Sequence, residues 1–213
     1  MIRELPPIEI PGHTASVGAD ESHPMRVMTR KVAGLGSGEW TDADRAKVAA
    51  NFDGLASEWH TRVSPERNAV VEDVLARGVE GQRSGVCLEL GSGIGTYSPM
   101  LAARWDSVAA VELSVEMLRL APPDPAGRVL ADASRLPFPS GTASAVVLIN
   151  MMLFPAEVDR VLAPDGLVVW VNSSGEETPI HLPPADVAAA LPGEWEGVQS
   201  RAGVGLWCVL RRS

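Results

Sequence analysis

The sequence predicts an α/β fold built on a parallel sheet covered on both faces, and three observations lead there. Short apolar runs at residues 86–90, 108–112, 128–131, 145–149 and 167–171 alternate with helical segments. Each run is apolar at consecutive positions, which is how strands read when both of their faces are buried. The first run, ending Cys87-Leu-Glu-Leu90, leads into a bend with glycine at three alternate positions, Gly91, Gly93 and Gly95.

Composition sets the scale. The chain has 213 residues, 46% of them hydrophobic and 21% charged, which suits one domain with a full core. Lys and Arg number 18 against 27 Asp and Glu, and the longest basic block is Arg211-Arg212. Without a phosphate-neutralising stripe, nucleic acid and anionic membranes are not expected as partners. Cys87 and Cys208 sit inside apolar runs, where a thiol behaves as a small buried hydrophobe and a disulfide is the lesser alternative. The N-terminus shows no apolar leader segment and no stretch is long enough to span a bilayer, so the expected location is cytoplasmic.

Taken in order, residues 1–40 are rich in Pro and Gly and lack a sustained period, which predicts an irregular leader able to act as a lid. The rest, 41–213, reads as one domain with a helical cap at 41–80 and a core at 85–213. Thr41, with Asp44 three residues on, caps a helix whose stripe is Val48, Phe52, Leu55 and Trp59. Ser64 and Pro65 open a second helix that stops near Gly78. Further helices are expected over 96–104, 115–120 and 156–162. Two last runs, 196–201 and 205–210, are joined by a short glycine turn and predict an antiparallel hairpin.

The glycine bend is a ligand cradle. Glycines there let the backbone turn sharply and approach a bound molecule, and free amides at the following helix start face it. The spacing is G-x-G-x-G rather than the dinucleotide pattern, whose third glycine would fall at Thr96. Glu89 precedes the bend; its charge attracts a cationic amine and repels a pyrophosphate.

With these residues stated, the sequence resembles the class I S-adenosylmethionine-dependent methyltransferases. The likeness runs from about residue 42 to 211 and rests on four motifs in the family's order. They are the glycine loop, the segment Ala110-Val-Glu-Leu-Ser-Val-Glu-Met-Leu118, the turn Ala131-Asp-Ala-Ser-Arg-Leu-Pro-Phe-Pro-Ser-Gly141, and Arg160-Val-Leu-Ala-Pro-Asp-Gly-Leu-Val168. Asn51-Phe-Asp-Gly-Leu-Ala-Ser-Glu-Trp59 is similar to the family's segment that closes the cofactor site. The resemblance implies a doubly wound, Rossmann-like sheet of seven strands with the last antiparallel, and an N-terminal helical cap.

It also implies the site. S-adenosylmethionine is the expected cofactor. Glu89 would face its methionine amino group, and Gly91, Gly93 and Gly95 would let the backbone pass close. Glu112 would take the ribose hydroxyls, Leu113 would pack on the adenine, and Asp132 with Ala133 would meet the adenine amine. Asn150 would contact the central portion. Each position has a bland alternative: Glu89 and Glu112 as solvated strand ends, Asp132 as a cap of the turn before Pro137, Asn150 as a turn residue, Phe52 and Trp59 as a packing stripe.

A sulfonium methyl is already activated, so aligning the acceptor is the main task and no conspicuous base is required. His60, Tyr97 and His13 are the weak candidates for catalysis; His23 and His181 are others. No histidine has the spacing of a metal site, and no metal is expected. Met151-Met-Leu-Phe154 follows the fourth core strand where relatives often carry a histidine, and the short stretch before Pro164 leaves lid duty largely to the first eighty residues. The expected activity is methyl transfer to a small, partly apolar molecule, at oxygen. The alternatives are a catalytically inactive S-adenosylmethionine-binding regulator or assembly protein and, third, a nicotinamide-dependent oxidoreductase. A homodimer stays open.

Overall fold

The computed structural model describes residues 1–14, 20–81, 83–123 and 126–213, without the side chain of Arg83; residues 15–19 of the leader lie outside it. In chain order the elements are β1 (Ile2–Glu4), α1 (Pro24–Val32), α2 (Asp42–Leu55), α3 (Pro65–Asp73), β2 (Arg83–Leu90), α4 (Ser98–Ala102), β3 (Trp105–Glu112), α5 (Val115–Leu120), β4 (Gly127–Leu130), β5 (Ala143–Ile149), α6 (Pro155–Val161), β6 (Leu162–Asn172), α7 (Pro184–Ala190), β7 (Trp195–Ala202) and β8 (Gly205–Arg212). A 3-10 turn (Ala56–Arg62) continues α2, a π turn (Val74–Gly78) continues α3, and a second 3-10 turn (Gly175–Glu177) follows β6.

The sheet order is β1-β7-β8-β6-β5-β2-β3-β4. β8 alone runs against the rest, pairing antiparallel with both β6 and β7. The sheet thus has eight strands rather than seven. The addition is β1, from the stretch that reads as irregular: Ile2, Arg3 and Glu4 lie parallel to Gly197, Val198 and Gln199 on the free edge of β7. An edge strand offers unpaired amides and carbonyls to any extended segment nearby, so three residues suffice.

Local chemistry explains the helices. Thr41 and Asp44 form a reciprocal capping box at the start of α2, and the Ser64 hydroxyl accepts the Arg67 amide at the start of α3, where Pro65 needs no partner for its nitrogen. Lys31 donates to Asp44 at 2.8 Å and holds α1 against α2. That bond, with the Thr41 hydroxyl, lowers the Asp44 carboxyl from 3.8 to about 2. A depressed carboxyl adds stability above its unfolded value and loses it as pH falls through the folded one. Acid unfolding of Asp44→Asn and the parent should therefore differ above pH 4 and converge as pH approaches 2; an offset that persists at pH 2 would contradict this.

The two faces of the sheet bury separate clusters. Leu88, Leu90, Val146, Leu148, Val168 and Trp170 pack on one side, and Cys87, Val108, Ala145, Val147, Val169 and Trp207 on the other. This is the two-sided burial that the consecutive apolar runs require. Both cysteines are free and buried. Burial pushes the Cys87 thiol well up, with the Glu89 charge adding to it. Among the described residues, no helix is long and apolar enough to cross a membrane, and no three His, Cys, Asp or Glu side chains gather as a metal would need.

Candidate functional site

Register places the site. Leu90 lies beside Val111 of β3 and Leu148 of β5, and Leu148 beside Trp170 of β6, so four strands end on one rim. Sheet order reverses between β2 and β5, and open α/β sheets bind ligands in the crevice at that reversal. A cavity of about 600 Å³ lies there, roofed by α2 and its 3-10 continuation. Ligand pockets span about 300–1,000 Å³.

The glycine bend forms the floor. Gly91 and Gly93 have φ of +70° and +57°, a region that side chains disfavour. A Cβ on Gly91 would fall 2.5 Å from Met151 Sδ, and one on Gly93 3.3 Å from Trp59 Nε1. Gly91 and Gly93 line the cavity, whereas Gly95 is not among its lining residues and its amide turns back to Ser92 at 2.9 Å. Ser92 lines the cavity, and its buried hydroxyl lacks a hydrogen-bond partner among the described residues.

Glu112 ends β3 and lines the cavity. Its Oε2 accepts the Gly93 amide at 2.8 Å, and its Oε1 accepts the amides of Leu113 at 2.7 Å and Ser114 at 2.8 Å. Burial raises its carboxyl above the usual range; the three amides pull it back and Asp53 pushes it further up. Asp53 itself bridges the cap to the core, accepting the Ser114 hydroxyl at 2.5 Å and the Glu116 amide at 3.2 Å.

Leu113, Asp132, Ala133 and Asn150 also line the cavity. Asp132 accepts the Trp40 indole at 3.0 Å and the Ser134 amide at 2.8 Å. Asn150 takes the left-handed conformation, φ +51°, and clips β5 to the end of β6 by donating to the Ser173 hydroxyl at 2.8 Å and accepting its amide at 2.9 Å. Glu89 does not reach the cavity lining. It is 2% exposed on the opposite face of β2, where it accepts the Ser98 hydroxyl at 2.5 Å.

Of the catalytic candidates, Tyr97 and His23 line the cavity, while His60, His13 and His181 do not. Burial holds the Tyr97 phenol above its usual value, with Glu89 adding and Arg67 opposing, so it stays a neutral donor. His60 is exposed and caps the Ser57 carbonyl at 3.1 Å. His13 packs against Gly203, and burial lowers its pKa. Phe52 and Trp59 do both things the sequence allows: they line the cavity and meet edge to face at 5.7 Å. The wall is shared more widely than expected, because the segment after β6, Ser173 to Ile180, contributes alongside the cap. Polar residues following a parallel strand were the available signal for Ser173 and Ser174; Arg62 and Arg67 read as ordinary solvated charges and gave none.

A family model described as a methyltransferase domain matches residues 88–170. This segment is a methyltransferase domain. The match runs from β2 to β6 and so contains the glycine bend, Glu112, Asp132 and Asn150. No curated protein matches the chain. Among solved structures, a DhpI–SAH complex superposes with a TM-score of 0.63 at 21% identity, covering 79% of this chain and 97% of that one. A SAM dependent methyltransferase from Aquifex aeolicus gives 0.56 at 16% identity over 80% and 99%. A chain from the Haloferax volcanii complex containing the Trm112 methyltransferase activator gives 0.50 at 19% identity; the match covers 56% of this chain and 59% of that one. At such identities the methyltransferase domain shares their fold.

Proposed function

We propose that the chain transfers a methyl group from S-adenosylmethionine to an oxygen of a small, partly apolar molecule, in the cytoplasm. The observation that carries this reading is the cavity between the glycine bend and Glu112 within the methyltransferase domain. The residues suit the cofactor: the unpartnered Ser92 hydroxyl offers a polar contact, and the left-handed Gly91 and Gly93 open the floor. When bound, the cofactor would supply a sulfonium methyl: its carbon–sulfur bond would break as an acceptor oxygen, its proton given up to solvent, forms the new carbon–oxygen bond, and the sulfur would leave as a neutral thioether.

In this reading the chain binds, orients and excludes water. A carboxylate accepts about four hydrogen bonds, and Glu112 already accepts three. One ribose hydroxyl is therefore taken by the spare lone pair of Oε2, and a second displaces a backbone amide. Leu113 packs on the adenine, Asp132 keeps spare lone pairs for its amine, and Ala133 presents its backbone. Asn150 fixes the floor beneath the central portion. Glu89 acts on the methionine amine through charge from behind the bend. Met151, Met152 and Phe154 supply an apolar wall for the acceptor.

Calorimetry with S-adenosylhomocysteine and transfer of labelled methyl to hydrophobic hydroxyl and carboxyl compounds test this together. Binding with turnover is expected. Binding without turnover on any acceptor would leave the non-catalytic alternative standing, and no binding would overturn the proposal.

A further inference from the structure

The cavity is lined by charges of both signs. Glu112 and Asp132 come from the ends of β3 and β4, and the guanidiniums, Arg62 and Arg67, come from the cap. Two contacts locate them. Arg62 stands 5.6 Å from the ring centre of Trp59, whose indole abuts Gly93. The charge of Arg67 reaches Tyr97, just past the glycine bend, and His13, which approaches the backbone of Ser173 and Ala202.

Among the described residues neither guanidinium has a carboxylate partner, whereas Arg26, Arg77 and Arg160, for example, are each paired. The hydrogen bond of the Arg67 guanidinium runs to the Arg62 carbonyl at 2.9 Å, which holds the two together and leaves donors on both. Glu177 lines the same region but pairs with neither. The planar guanidinium fork matches carboxylate and phosphate-type oxygens.

Resting on the methyltransferase reading above, we propose that the acceptor carries an anionic oxyacid group, a carboxylate or a phosphate-type group, anchored by Arg62 and Arg67. The neutral Tyr97 hydroxyl donates to the same group, and Phe52, Val63, Met151 and Ile180 surround the apolar remainder. Guanidinium-bound oxygens have their lone pairs engaged, so this group anchors the acceptor and a different oxygen receives the methyl.

The test is calorimetry on the full chain saturated with S-adenosylhomocysteine, titrating benzoate against benzamide and phenylphosphonate against benzyl alcohol. Each anion should bind at least about tenfold tighter than its neutral partner, and the stronger of the two identifies the oxyacid. In Arg62→Gln/Arg67→Gln the preference should fall to within about twofold while S-adenosylhomocysteine affinity moves by less than about threefold. Arg119→Gln, on the exposed face of α5, should leave both unchanged. Equal binding of anions and neutrals by the parent would overturn the proposal. So would a double variant that loses nucleoside affinity about tenfold yet keeps its anion preference, since the guanidiniums would then serve the cofactor. Repeating the titrations on the free protein separates the two readings: anion preference without any nucleoside binding would sink the methyl-transfer function and leave the anion site intact.

Discussion

Glu112→Gln should weaken S-adenosylhomocysteine binding by roughly 10- to 100-fold, the range expected when a hydrogen bond to a charged group is lost. The substitution keeps shape and volume. If the amide oxygen stays toward Leu113 and Ser114, the new NH2 meets the Gly93 amide, donor against donor; if it flips, two amides lose their acceptor instead. Either way the glycine bend is pushed out of place, and the ribose loses its acceptor. Burial raises the Glu112 carboxyl, so nucleoside affinity in the parent should begin to fall with acid at a higher pH than an ordinary carboxylate would cause. That pH dependence should vanish in the variant. Calorimetry at several pH values reads both effects, and an unchanged dissociation constant with intact circular dichroism would remove Glu112 from the site.

What the sequence made legible was local chemistry and two-sided burial. Thr41 with Asp44, Ser64 with Pro65, and Ser114 announce their helices because the side chain that caps each one lies within three residues of the amide it accepts. Strands β2, β3, β5 and β6 are legible because burial on both faces leaves little polar alternation, whereas β4 is a mostly exposed edge strand read from its apolar Val129-Leu130. β1 is not, since Ile2-Arg-Glu4 becomes a strand only where the edge of β7, nearly 200 residues away, presents its backbone. Helix α1 hides for another reason: its cap is His23, an uncommon choice, and Pro24 reads as loop when it is in fact the first helical residue. Prolines at 183 and 184 mask α7 in the same way.

The site divides along similar lines. Gly91, Gly93, Glu112, Leu113, Asp132, Ala133 and Asn150 meet at one cavity because each terminates or follows a parallel strand, and strand ends can be counted along a sequence. Glu89 sits one residue earlier in its strand than Leu90, and alternation turns it to the other face. Arg62 and Arg67 depend on how the cap is docked, which no local pattern encodes.

That docking makes Asp73→Ala the largest expected loss of stability. Asp73 ends α3 with its side chain 5% exposed, and accepts two bonds from Arg77, at 2.6 and 2.7 Å, and one from the Trp207 indole at 2.7 Å. Arg77 continues outward to the Pro6 carbonyl at 2.8 Å and the Ser200 hydroxyl at 3.0 Å, and stacks 5.5 Å from the Trp207 ring centre. One carboxylate therefore ties the cap helix, the leader and both strands of the terminal hairpin. Breaking a buried pair by removing one partner costs about 3–5 kcal/mol. Arg77 is 28% exposed and recovers part of this from water; about 2–4 kcal/mol remains, or a fall in Tm of roughly 5–15 °C for a chain this long. Asp73→Asn should lose less, because it still accepts from Trp207, and Asp73→Ala/Arg77→Met should regain part of the loss by removing the stranded charge. Thermal unfolding of the three variants measures this directly. A shift below about 2 °C in Asp73→Ala would mean that apolar packing of Val70, Val71 and Val74 on Trp207 and Val209 holds the cap by itself.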